Sequence, residues 1–184
     1  MVVKEKLRKK FLKKRKLNYF EIEPSFFNPL IKLIKKKFKR KKILLSIYYP
    51  SNFEIDILQI LKNNYIKQKT ILLPVILKKN SMKFLKWENK DVLKVNNFGI
   101  LEPFNIGKSF IPNIMILPLV AYDLFKYRLG YGKGFYDRYL SSRMNKNKNI
   151  LKVGVAFSSQ KYNKLPVSNH DVKLDFILTE KGLI

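Results

Sequence analysis

The sequence predicts an α/β protein with three layers, a mostly parallel sheet with helices on both faces. Short, continuous apolar runs recur at residues 42–49, 70–77, 114–120, 152–157 and 175–178, the form taken by strands buried on both sides. Segments with apolar residues three and four apart lie between several of them, which is helical spacing. Strands alternating with helices make a parallel sheet the economical arrangement. A length of 184 residues with 46% hydrophobic and 14% aromatic content suits a single domain over residues 1–184 and excludes disorder.

The elements follow in order. Residues 4–17 set Leu7, Phe11 and Leu12, with Val3, near one face among many lysines, predicting an amphipathic helix. A second helix is expected over 26–38. The run KILLSIYY, 42–49, reads as a buried strand stopped by Pro50, with a loop at Ser51 and Asn52. Helical spacing returns over 54–66 through Ile57, Leu58, Ile60 and Leu61. TILLPVIL, 70–77, is a strand in which Pro74 withholds one N–H from a neighbour. Residues 81–87 read as a strand leading into a polar, irregular section. IMILPLV, 114–120, stands just before a glycine-rich loop, and Phe135 to Leu140 regains helical spacing. Ligands of such sheets lie beyond the carboxyl ends of the strands. The glycine loop and the turn from Tyr49 to Glu54 therefore open on the same edge.

Composition narrows the chemistry. The absence of cysteine excludes disulfides, thiolate metal sites and thiol catalysis. The first residues lack the apolar core of a signal peptide, and no run reaches the roughly 18 apolar residues of a membrane span, so a cytoplasmic protein without a membrane partner is expected. The net charge of +26 would suit a polyanion. Seventeen of the 39 Lys and Arg fall between Lys4 and Lys42, yet others decorate every later segment and no zinc-finger, RNP-type or helix-turn-helix signature accompanies them. Nucleic acid is expected to bind through non-specific electrostatics alone; the competing reading is a basic nucleic-acid-associated protein that keeps the fold without catalysis.

The segment RLGYGKGFYDRYL, 128–140, carries most of the functional information. Gly130, Gly132 and Gly134 permit positive φ and let N–H groups converge on a small anion, which the following helix N-terminus would also favour. It is neither a P-loop nor a dinucleotide fingerprint. The longer stretch LPLVAYDLFKYRLGYGKGFYDRYL resembles the signature of the 5-formyltetrahydrofolate cyclo-ligase family, and so do Lys4 and Arg8 of the first helix, Tyr49 and Glu54 after the first strand, and the tail from Gln160 to Glu180. Two departures stand out: Lys126 where the family has a turn glycine, and Tyr122 where it has Phe.

The resemblance implies a fold akin to the NagB/RpiA/CoA-transferase group. It implies ATP-dependent closure of 5-formyltetrahydrofolate to 5,10-methenyltetrahydrofolate by a monomer, through phosphorylation of the formyl oxygen. It places the ATP phosphates on Lys4, Arg8 and the loop residues Arg128, Leu129, Gly130, Tyr131, Gly132, Lys133, Gly134, Phe135 and Tyr136, with Lys4, Arg128 and Lys133 acting in catalysis. Folate is implied at Tyr49, Glu54, Tyr131, Gly132, Lys133, Gly134 and Phe135, and Mg2+ at Asp137 and Asp171. Met82, Phe84 and Trp87 read as core residues, with a wall for the folate as the alternative, and His170 as an exposed loop residue.

Overall fold

The computed structural model describes residues 2–39, 41–78, 81–104, 106–144 and 149–184. Helix α1 (Val2–Leu17) is followed by a 3-10 turn (Pro24–Phe27) that runs into α2 (Asn28–Lys37). Pro29 stands in the first turn of α2, where its missing N–H costs nothing. Leu30, Ile31 and Ile34 turn inward while the lysines face out. Strand β1 (Leu44–Ser46) is shorter than the apolar run that contains it.

The helix expected over 54–66 is divided. A 3-10 helix (Ile57–Lys62) starts at Asp56, whose carboxylate accepts from Leu58 N–H, and a single turn, α3 (Asn64–Lys67), starts at Asn63, whose side chain accepts from Tyr65 N–H. Two capping residues seven positions apart start two short helices in place of one long one. Glu54 consequently lies in a turn ahead of both, its N–H donated to Ser51 O at 2.9 Å.

Strands β2 (Thr70–Ile76) and β3 (Met82–Lys86) pair antiparallel. Ile71 O accepts from Trp87 and Leu72 O from Ile47, so Pro74 turns its nitrogen toward β1, past Ser46, the last residue in register with that neighbour. The N–H it lacks is the one that would have continued the ladder to Ile47 O, so pairing with β1 stops there. The section read as irregular holds a hairpin, β4 (Leu93–Val95) and β5 (Leu101–Pro103), closed by Asn96, whose side chain accepts from Phe98 and Ile100 N–H. Glu102 of β5 accepts from Ile76 N–H at 3.0 Å and takes over where β1 has ended. The short β6 (Ser109–Phe110) pairs with β3.

Strand β7 (Ile114–Leu117) sends Ile114 and Ile116 to one face of the sheet and Met115 and Leu117 to the other. After it come β8 (Ala121–Asp123), β9 (Arg128–Leu129), α4 (Phe135–Met144), β10 (Leu151–Val155), a 3-10 turn (Ser158–Gln160), β11 (Lys161–Tyr162), β12 (Phe176–Thr179) and β13 (Gly182–Leu183). The main sheet has the order β13-β12-β10-β7-β1-β2-β3-β6, parallel from β12 to β2. The α2 side is packed with Phe27, Leu30, Ile34, Ile57 and Ile60, and the α4 side with Tyr139 and Leu140. These are the three layers the sequence predicts.

Met82 and Phe84 are buried on the α4 side and Trp87 on the α2 side, so all three are core. A second sheet, β11-β8-β9, sits at the carboxyl edge of the first, and Leu7 and Phe11 seat α1 there against Val120, Ala121, Leu129 and Leu165. Val3 is exposed, contrary to its expected place on the buried face. The buried stripe of α1 is instead Leu7, Phe11 and Arg15.

Candidate active site

The glycine loop joins β9 to α4 at the carboxyl edge of the sheet. Gly132 has φ 100° and Gly134 φ 64°, conformations that L side chains rarely adopt. Gly130 does not take positive φ, which corrects one third of the expectation; it matters because a Cβ there would lie 3.1 Å from the Arg128 guanidinium. A Cβ on Gly132 would sit 3.1 Å from Arg8 Cζ, and one on Gly134 2.9 Å from an Arg138 nitrogen. Each glycine therefore makes room for an arginine. Among the described residues, the N–H groups of Gly132, Lys133 and Gly134 donate to no other group.

Lys4, Arg8 and Arg15 lie four and seven residues apart on α1 and turn toward this loop. Lys4 Nζ meets Asp171 Oδ2 at 2.5 Å, Arg8 Nε donates to Gly130 O at 2.8 Å, and Arg15 reaches the far end of the site. Arg128 donates to Asp137 Oδ1 at 2.8 Å, and the same oxygen accepts from Val172 N–H. That bond brings the residue after Asp171 against Asp137, so the two acids expected to hold a metal are neighbours. Burial works against the charged form of Asp171, but hydrogen bonds from Lys4 and Ser168 outweigh it and hold the carboxyl below its ordinary value.

The opposite end is built on Glu54. Its Oε2 accepts from Ser51 N–H at 2.9 Å and its Oε1 from the Tyr131 hydroxyl at 2.6 Å. Burial pushes its carboxyl up, against the lowering effects of Tyr131, Arg15 and Ser51. The Tyr131 and Tyr136 phenols are raised mainly by burial, with the Glu54 charge adding to it. Asn52 and Phe53 hold φ of 49° and 61°, two left-handed residues in succession that aim Glu54 inward.

The other expected positions divide. Lys133 is exposed above the Phe98 ring at 5.8 Å, and Phe98 packs edge-on against Phe135 at 5.5 Å. Tyr136 is half-buried under Arg128. Tyr49 is half-buried against the α2 side of the core. Leu129 offers no side chain to the site: it is core, and its carbonyl accepts from Val120 N–H. His170 is exposed. In the tail, Gln160 is buried against the carbonyls of Leu119 and Val120, and Asp175 accepts from Lys152 N–H, so both are structural. Lys126, at the glycine position, does take φ 65°, and its ammonium, bonded to Asp175 O and lying over the Phe176 ring, offsets part of that cost.

Two members were not legible in advance. Arg15, fully buried, donates to Asn52 O at 2.6 Å, the Tyr131 hydroxyl at 2.8 Å and Leu119 O at 3.2 Å. Its signal was its position four residues after Phe11 on an apolar stripe, where a lysine-rich helix should not place a cation. Phe98 arrives on the tip of the unexpected hairpin; the turn-forming Asn96 and Gly99 were its signal.

Among the described residues no three acidic or histidine side chains converge. A divalent ion held by Asp137 and Asp171 would draw its other ligands from phosphate and water, the usual habit of magnesium. The donor set fits such an ion, since cations and N–H groups already address one oxygen of each carboxylate.

The 5-formyltetrahydrofolate cyclo-ligase family profile matches residues 1–180. The chain is 34% identical over 140 residues to the 5-formyltetrahydrofolate cyclo-ligase of Haemophilus influenzae, covering 73% of this chain and 74% of that one. It is 34% identical over 186 residues to that of Mycoplasma genitalium, covering 97% and 98%. Among solved structures, the Aquifex aeolicus 5,10-methenyltetrahydrofolate synthetase superposes with a TM-score of 0.74 at 35% identity, covering 98% of this chain and 91% of that one. The Mycoplasma pneumoniae synthetase gives 0.66 at 28% identity, with 95% and 97% covered.

Proposed function

This chain belongs to the 5-formyltetrahydrofolate cyclo-ligase family, and from that premise we propose how its site performs the ATP-dependent closure of 5-formyltetrahydrofolate to 5,10-methenyltetrahydrofolate. The observation that carries the reading is the joining of an N–H cradle ringed by Lys4, Arg8 and Arg128 to a buried carboxylate, Glu54, through a single loop residue, Tyr131. One end suits polyphosphate, the other a heterocycle rich in N–H donors.

The formyl oxygen on nitrogen 5 is a poor leaving group. Transfer of the γ-phosphoryl to it, with ADP departing, makes it a good one; nitrogen 10 then attacks the formyl carbon, its proton passes to the departing phosphate, and the carbon–oxygen bond breaks as inorganic phosphate leaves. Phosphoryl transfer asks the protein for alignment and charge neutralisation. The N–H groups of Gly132 to Gly134 hold the phosphates, Arg8 and Arg128 neutralise equatorial oxygens, and exposed Lys133 is free to follow the moving group. Glu54 accepts the N–H donors of the pterin and fixes the ring, while Phe135 and Phe98 wall the loop side. Asp137 and Asp171 would hold Mg2+, which supplies charge neutralisation on the phosphates when bound.

The reading carries with it a single domain acting as a cytoplasmic monomer on small molecules. The inward stripe of α1 is committed to the site, so its outward lysines are a solvated surface with no share in the chemistry. Purified protein given 5-formyltetrahydrofolate and Mg-ATP should develop the methenyl absorbance; no ATP-dependent product would refute the assignment. Gly132→Ala would strain the loop by about 1–2 kcal/mol and displace Arg8. It should raise the KM for ATP several-fold while leaving that for folate nearly unchanged, measured by steady-state kinetics.

A further inference from the structure

We propose that Arg15 is a positioning residue that fixes Glu54 and Tyr131 for the folate ring without touching it, an inference that rests on the placement of the pterin at Glu54. The guanidinium is 1% exposed and ties together three segments that sequence separates widely: Leu119 beyond β7, the left-handed turn at Asn52, and Tyr131 of the glycine loop. Two of these partners are neutral carbonyls. A buried cation held by carbonyls is poorly compensated, and an apolar replacement would commonly be as stable. Packing alone therefore does not account for it.

Its counter-charge is Glu54, but at 3.9 Å, beyond hydrogen-bond reach. The Tyr131 hydroxyl stands between them. It accepts from Arg15 at 2.8 Å and donates to Glu54 at 2.6 Å, so the cation fixes the direction of the phenol proton. Arg15 also lies over the Tyr131 ring at 5.7 Å. The groups facing Glu54 are Arg15 from α1, Tyr131 from the loop, Tyr136 from α4, Tyr48 after β1, and Ser51; Arg128 lies behind Tyr136. Arg15 is the cation among them that lowers the Glu54 carboxyl, opposing burial.

The test is a double-mutant cycle on the full chain by steady-state kinetics, with Arg15→Met, Arg15→Lys, Glu54→Gln and the Met/Gln pair. Arg15→Met should raise the KM for 5-formyltetrahydrofolate about tenfold, leave that for ATP within about twofold, and move the acid limb of kcat/KM to higher pH. Arg15→Lys should recover part of each. In the Glu54→Gln background, loss of Arg15 should add less than about twofold. Equal effects in both backgrounds, a matching rise in both KM values, or an unmoved acid limb would overturn the proposal. If Arg15→Met does not fold, Tyr131→Phe, which deletes the hydroxyl and keeps the guanidinium, must shift the same limb; an unmoved limb there is equally fatal. Wild-type turnover separates the two readings, because its absence refutes the cyclo-ligase assignment, whereas additive variants in an active enzyme refute the role of Arg15 alone.

Discussion

Glu54→Gln should lower kcat/KM for 5-formyltetrahydrofolate about 10³-fold, from the loss of two charge-assisted hydrogen bonds worth about 2 kcal/mol each. The amide has the size of the carboxylate but replaces one acceptor with a donor. Turned one way its NH2 group faces the Ser51 N–H, a fixed donor; turned the other way it faces the Tyr131 hydroxyl, whose proton must then swing away and which already accepts from Arg15. The loss should appear in the folate parameters, with the KM for ATP little changed. The pH dependence of stability should change as well. Burial raises the Glu54 carboxyl above its ordinary value of 4.5, so the folded chain holds this proton more tightly than the unfolded one. Its contribution to stability is complete below 4.5 and disappears as pH rises through the raised folded value. Subtracting the Gln variant's pH–Tm curve from that of the wild type should isolate this descent; parallel curves would show that burial does not raise the Glu54 carboxyl.

Asp137→Asn should reduce kcat about 10²-fold, the scale for removing one electrostatic contact from a transition state. Asn can still accept from Val172 N–H and from Arg128, so the turn and the α4 N-terminus are kept. It removes the charge opposite Arg128, whose side chain is 4% exposed, and Tm should drop by a few degrees in consequence. Asp137→Ala is the poorer test, because it strands a buried guanidinium and confounds folding with catalysis. Circular dichroism beside the kinetics separates the two, and a folded Asn variant with wild-type turnover would remove Asp137 from the site.

The layers were legible because buried parallel strands leave continuous apolar runs, and 114–120 and 70–77 could hardly be anything else. Strand ends were less so. Ile47 and Tyr48 remain apolar after β1 has stopped, because they line the core beneath the 3-10 helix. The split at Asn63 is written in a residue that caps helices, but the apolar spacing runs through it unbroken and masks the boundary. The loop proposed for the phosphates could be read from local order, since its glycines, Arg128 and Lys133 are adjacent in the chain, whereas Lys4 and Arg8 reach it from a helix more than a hundred residues away and rest on the family resemblance. The folate end could not. Arg15, Asn52, Glu54 and Tyr131 meet across more than a hundred residues, and no local pattern states that an arginine on a lysine-rich helix faces inward.

The left-handed pair at Asn52 and Phe53 has a thermodynamic consequence for the substrate. Each such residue costs on the order of 1–3 kcal/mol, and the turn persists because Arg15 grips the Asn52 carbonyl while Ser51 and Glu54 close on each other. The ordering entropy of this floor is thus spent when the polypeptide folds. On the proposed placement at Glu54, an arriving pterin would meet a preformed template, and its affinity need not be discounted for the work of shaping one.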